Sequence, residues 1–239
     1  MNFEYILALI LMCALFVIGV YLMKYIRRIW LADFIFSAVI YISYICMSIY
    51  IYKTDTDPGR WNFLNTLPVA NVSPFMFSII PIILILPKKL KKHFHLLISL
   101  LSVGMFLSTV LGCIGNAARN YNFHFHFMLD YLSHFALSAY GIFLIRSKQV
   151  KLSFKNFVIS SSILFGVATT MLILNVIFDT SFFGLSLNGN HNIYNMVLVD
   201  NSYLSALIYY VGMAVVLLSG AMVCKLFSTK YFKIKSCFA

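Results

Sequence analysis

Between positions 124 and 134 the chain reads His124-Phe-His126-Phe-Met-Leu-Asp130-Tyr-Leu-Ser-His134. His126, Asp130 and His134 recur every four residues, so on a helix they stack along nearly one face, and Ser138 continues the stripe. A carboxylate one turn from an imidazole holds its tautomer and raises its basicity, as a general base or a metal ligand requires. The same groups equally suit hydrogen bonds that join helices inside a membrane.

Further polar side chains fall at a matching depth. Asn71 and Ser73 enter the apolar run that follows Leu67-Pro68, Asn116 leaves the next one, and Asn175 lies late in the sixth. With His134 as base and Asp130 orienting it, Ser73 is the hydroxyl that such a base could activate as a nucleophile. His126, Asn71, Asn116 and Asn175 are then the expected substrate-binding lining. Thr169 and Thr170 are expected to bond their own helix backbone. Pro74 and Pro81 fall within one run and free the carbonyls of Ala70 and Phe77, which something inside the bundle must face. The five cysteines are scattered and form no CxxC pair, so neither a disulfide framework nor a zinc knuckle is indicated, and no cofactor or metal is implied.

The elements that carry these residues must be membrane helices. Of 239 residues, 62% are hydrophobic and only 10% charged, too apolar for a water-soluble globule. Seven apolar stretches have the length of a span: 5–23, 31–52, 70–86, 94–114, 127–145, 154–178 and 204–227. The expectation is an all-α, polytopic membrane helix bundle of seven transmembrane helices, one domain over residues 1–239. The first run has no basic residue before it and no small-x-small cleavage site after it, so it reads as a retained span.

Charge orders the loops. Fifteen of the 18 Lys and Arg residues fall at or behind the ends of the first, third, fifth and seventh runs, leaving Lys53, Arg60 and Arg119 for the other side. This alternation predicts the N-terminus outside and the C-terminus in the cytoplasm. The net charge of +11 is therefore assigned to topology and anionic lipid, and nucleic acid is excluded as a partner. The segments on the outer side, including Asn188-Gly-Asn-His191, are rich in Asn, His, Asp, Gly and aromatics, so a site is expected to face outward.

From Leu67 onward the chain resembles the YwaF-like integral membrane proteins of bacteria, relatives of a eukaryotic membrane phospholipid acyltransferase family. The residues that carry the resemblance are Leu67-Pro68, the His126 to His134 segment, Asn175, and Tyr209-Tyr210. It implies a multi-pass protein of the bacterial cytoplasmic membrane, with membrane lipids as partners. The eukaryotic relatives are thought to carry the acyl group on a cysteine near the Pro motif. Here that stretch is Leu67-Pro-Val69-Ala-Asn71-Val-Ser73-Pro74 and has none, which excludes a thioester there. Seven-span zinc hydrolases place two histidines in their last span, and residues 204–227 contain no histidine.

The leading expectation is action on lipid acyl groups, by transfer or ester hydrolysis, at a polar pocket facing the outer side. A proton-coupled transporter or transporter subunit, with Asp130 as proton carrier, is the alternative, and a non-catalytic membrane scaffold is the third.

Overall fold

Long apolar runs leave the backbone no partner but itself in lipid, and helices are the result. The computed structural model describes residues 3–22, 25, 28–54, 66–118, 122–180, 182–185 and 202–228. It contains α1 (Phe3–Leu22), α2 (Ile29–Thr54), α3 (Val72–Ile85), α4 (Lys88–Ala118), α5 (Phe125–Arg146), α6 (Phe154–Phe178) and α7 (Ser202–Ser228), with a 3-10 turn at Phe182–Gly184. No strand occurs among the described residues. Among the described residues six of the seven α-helices are long and apolar enough to cross a membrane, as expected of a multi-pass protein.

The exception is α3. The expected 70–86 run forms a helix of 14 residues, about 21 Å at 1.5 Å per residue, against roughly 30 Å of hydrocarbon. It starts late because the Asn71 side chain caps it by accepting from the N–H of Val72 at 2.8 Å. Pro74 therefore lies in the first turn, where its missing N–H costs nothing, and only Pro81 is interior. The expected break at Pro74 is thus absent. At the other end Pro87 opens α4 by accepting from the N–H groups of Leu90 and Lys91, so the lysine run is helical, not a loop.

Consecutive helices alternate in direction. Tyr5 at the start of α1 bonds Asn122 just before α5, and Tyr50 at the end of α2 packs on Phe125. At the opposite end Arg146 reaches Val20, and Lys91 reaches both Asp33 and Leu84. Arg28, Lys88 to Lys92, Arg146 and Lys225 therefore gather at one end of the bundle, called the lysine-rich end below.

Helices α4 and α5 are the centre. In their most apolar stretches 50% and 61% of residues are buried, against 17% in α1 and 22% in α6 and α7. Close approach there relies on glycine. A Cβ on Gly141 would lie 2.6 Å from the Ser102 Cβ, and one on Gly220 of α7 would lie 1.9 Å from the Leu100 carbonyl oxygen. Gly141 brings α5, and Gly220 brings α7, into backbone contact with α4.

Candidate functional site

Two short-range rules and one long-range contact build the site. On α5, Asp130 and His134 are one turn apart by helical periodicity. The His134 Nδ1 lies 2.9 Å from the backbone oxygen of Asp130 and 3.3 Å from its carboxylate Oδ1. A carbonyl oxygen can only accept, so Nδ1 carries the proton, and in the neutral ring Nε2 is left with its lone pair. That nitrogen is 2.9 Å from the Ser73 Oγ, so the hydroxyl donates to it.

Packing fixes the pair. The Phe77 ring meets the imidazole edge-on, centroids 5.0 Å apart at 90°, one turn below Ser73 on α3. The Met105 sulfur lies 3.6 Å from the Ser73 Oγ on the α4 side. His134 and Asp130 keep only 12% and 14% of their side chains exposed. Ser73 is the second residue of α3, where a backbone N–H has no intrahelical acceptor and points out of the helix end. A base with a fixed tautomer, a hydroxyl donating to it and an unshared N–H beside the hydroxyl are the parts that acyl transfer uses.

The other expected lining residues are engaged elsewhere. Asn71 is exposed and caps α3. Asn116 donates to the Tyr131 hydroxyl at 3.3 Å. His126 is buried two turns from His134, its ring stacked on His124 and packed by Phe127 and Tyr50. Ser138 continues the stripe in position but donates to the His134 backbone oxygen. Thr170 bonds its own backbone at Gly166, whereas Thr169 pairs with the Tyr210 hydroxyl at 3.1 Å. Residues 186–201, with His191, lie outside the described residues. Among the described residues no three His, Cys, Asp or Glu side chains are grouped to hold a metal.

Asn175 organises backbone. Asp179 caps α6 in the left-handed region, a conformation Asp tolerates, and turns the chain back. The Asn175 Oδ1 then accepts from Thr180 Oγ1 and Phe182 N, while its Nδ2 donates to the carbonyls of Phe182 and Leu185. The strap so formed places the fully buried Phe183 against Phe75, and its N–H donates to Val69 at 2.9 Å. Phe183 has φ 59°, a strained value for a bulky residue, held by these contacts. Asn175 thus braces the segment leading into Ser73.

Beside α3, a cavity of about 330 Å³ is lined by Tyr44, Ile45, Ser48, Ile49 and Tyr52 of α2 with Thr66 and Leu67. The Tyr44 hydroxyl bonds the Thr66 carbonyl at 2.6 Å, and its ring packs on Phe77, the residue that also meets His134. The cavity wall therefore connects to the imidazole through two aromatic rings, Tyr44 and Phe77.

A second polar cluster at the lysine-rich end escapes the sequence reading. It joins Asp33 of α2, Lys91 and His95 of α4, and Tyr140 of α5. The available signal was Asp33 itself, a lone carboxylate inside the apolar run 31–52.

No curated protein and no solved structure matches the chain. Over residues 1–226 the sequence matches the TMEM164 family, and the chain belongs to that multi-pass membrane family.

Proposed function

We propose that this protein acts on lipid acyl groups, by transfer or ester hydrolysis, through Ser73, His134 and Asp130. The observation that carries the reading is the Ser73 Oγ to His134 Nε2 distance of 2.9 Å, with Nδ1 turned to Asp130. In the proposed reaction His134 takes the Ser73 proton as Oγ attacks an ester carbonyl. The Ser73 N–H faces the oxyanion, and collapse expels the alcohol, which leaves with the proton from Nε2. A second alcohol or water then releases the acyl group by the same steps in reverse. The cavity along Tyr44 and Ile49 suits an acyl chain arriving laterally from the bilayer.

The proposal takes seven crossings, with the N-terminus outside and the C-terminus in the cytoplasm, so that Ser73 and His134 open to the outer half of a bacterial cytoplasmic membrane. The lysine-rich end then satisfies the positive-inside rule. The resemblance of Leu67-Pro68 and the His126 to His134 segment to the YwaF-like proteins, relatives of a membrane acyltransferase family, supports the substrate class, and with no cysteine in that stretch serine is the proposed acyl carrier.

The test is covalent. An alkyl fluorophosphonate should label Ser73 in membranes, and the label should disappear in Ser73→Ala and His134→Gln. Lipid profiles with and without the protein should differ in acyl composition, and His134→Ala should erase the difference. Unlabelled Ser73 with an unaltered lipid profile refutes the reading and leaves the polar residues as helix-to-helix bonds of a scaffold.

A further inference from the structure

At the lysine-rich end the Tyr140 hydroxyl stands between two titratable groups. It donates to the Asp33 Oδ1 at 2.9 Å and lies 3.3 Å from the His95 Nε2. Its position is fixed, because the ring stacks on Phe36 with centroids 5.1 Å apart and meets His95 edge-on. Asp33 and His95 are buried, 5% and 4% exposed.

The remaining charges are accounted for element by element. Lys91 of α4 lies 3.8 Å from the Asp33 Oδ2 and donates to the Leu84 carbonyl of α3 at 3.2 Å. Helix α3 itself has no titratable side chain in Val72–Ile85. Lys88, Lys89 and Lys92 are exposed, and Arg146 of α5 turns to the Val20 carbonyl of α1.

Two separations argue against a static strut. The Asp33 Oδ2 stands 3.8 Å from the Lys91 Nζ and 3.9 Å from the His95 Nε2, beyond direct hydrogen bonding, and the close contacts to the carboxylate and imidazole both run through the Tyr140 hydroxyl. A buried ion pair adds stability only when its geometry is direct and its lone pairs are satisfied. A hydroxyl with a donor on one side and an acceptor on the other is instead the geometry of proton relay, because it can receive and release a proton in one step.

We propose that His95, Tyr140 and Asp33 form a proton-binding relay at the lysine-rich end, with the proton as ligand. The proton on His95 Nε2 passes to the Tyr140 oxygen as the Tyr140 proton passes to the Asp33 Oδ1. One proton moves, tyrosine stays neutral, imidazolium becomes imidazole and carboxylate becomes carboxylic acid. Lys91 loses its anion and keeps the Leu84 carbonyl. The side chain of Lys91, 23% exposed, is where the cluster meets its surroundings. This assignment is independent of the acyl chemistry at Ser73.

The test uses the full chain in liposomes. A pH-difference infrared spectrum between about pH 5 and 9 should contain a carboxylic-acid carbonyl band that is absent in Asp33→Asn and displaced in Tyr140→Phe, which removes only the hydroxyl. A second measurement needs no variant to fold: a hydrophobic carbodiimide, which reacts with protonated carboxyls, should modify Asp33 increasingly as pH falls. Lys91→Met should raise the adduct at neutral pH several-fold, because a nearby cation favours the ionised carboxylate. Absence of an Asp33 band and of an Asp33 adduct across this range overturns the proposal. A band identical in Tyr140→Phe overturns the relay.

Discussion

His134 and Ser73, 61 residues apart in sequence, meet at 2.9 Å, and the meeting is directional because the backbone carbonyl of Asp130 fixes which imidazole nitrogen is free to accept. A graded prediction follows from this. His134→Ala should reduce acyl turnover, or fluorophosphonate reactivity at Ser73, by about 10³-fold, the scale of a lost general base. Asp130→Asn leaves the 2.9 Å bond to the backbone oxygen in place and removes only the negative charge at 3.3 Å, so its loss should be about 10- to 100-fold. Equal losses in the two variants would mean that the carboxylate, not the carbonyl, sets the tautomer.

Asn175 offers a prediction of the opposite kind. Its amide serves four partners in residues 180–185, and alanine would leave buried donors and acceptors unpaired, at about 1–3 kcal/mol each when water cannot reach them. Asn175→Ala should therefore lower the thermal midpoint and expose the strap near Phe183 to protease. Asn175→Asp keeps the acceptor bonds to Thr180 and Phe182 while losing the donor bonds, and should fall between. Unchanged cleavage in Asn175→Ala would return Asn175 to the role of a substrate ligand.

The sequence made the helices legible because lipid admits few alternatives to an apolar helix, and residues 154–178 have the bounds expected of them. Asp130 and His134 were legible for a related reason: a four-residue interval on one helix fixes their contact without tertiary information. Ser73 needed the landmark at Leu67-Pro68, since nothing local links it to α5. In the sequence Asn71, Asn116 and Asn175 read as substrate lining because amides near helix ends suit a pocket. Asn71 instead caps α3, Asn175 braces residues 180–185 and Asn116 donates to the Tyr131 hydroxyl of α5, uses decided by tertiary geometry that composition does not encode. The Asp33 cluster was hidden for the same reason, since three helices contribute to it and Tyr140 reads as another membrane aromatic.

Topology is testable without reference to chemistry. The alternating helices put the start of α4, Lys88 to Lys92, at one end of the bundle and the C-terminal end of α6, Asn175 to Asp179, at the other. Lys89→Cys and Asn190→Cys, each compared with the parent chain, should differ in labelling of intact cells by a membrane-impermeant maleimide. Only Asn190→Cys should react before the cells are opened. Reaction of both from the same side would remove the proposed orientation and with it the outward-facing site.

Two glycines on α7 separate packing from propensity. Gly212 has no heavy atom within 4 Å of an added Cβ, whereas at Gly220 the added carbon would lie 1.9 Å from the Leu100 oxygen and 2.6 Å from its carbonyl carbon. The neighbour at Gly220 is helix backbone, which cannot rotate aside as a side chain can, so α7 must move away from α4 or α4 must bend. Overpacking of this kind costs about 1–3 kcal/mol, and more where backbone must shift. Gly212→Ala gains helix propensity and meets nothing, so it should be neutral or slightly stabilising. Thermal unfolding in one detergent should rank Gly220→Ala well below the parent and Gly212→Ala level with or above it. Equal midpoints for the two variants would show that α7 does not rest on α4 at Leu100.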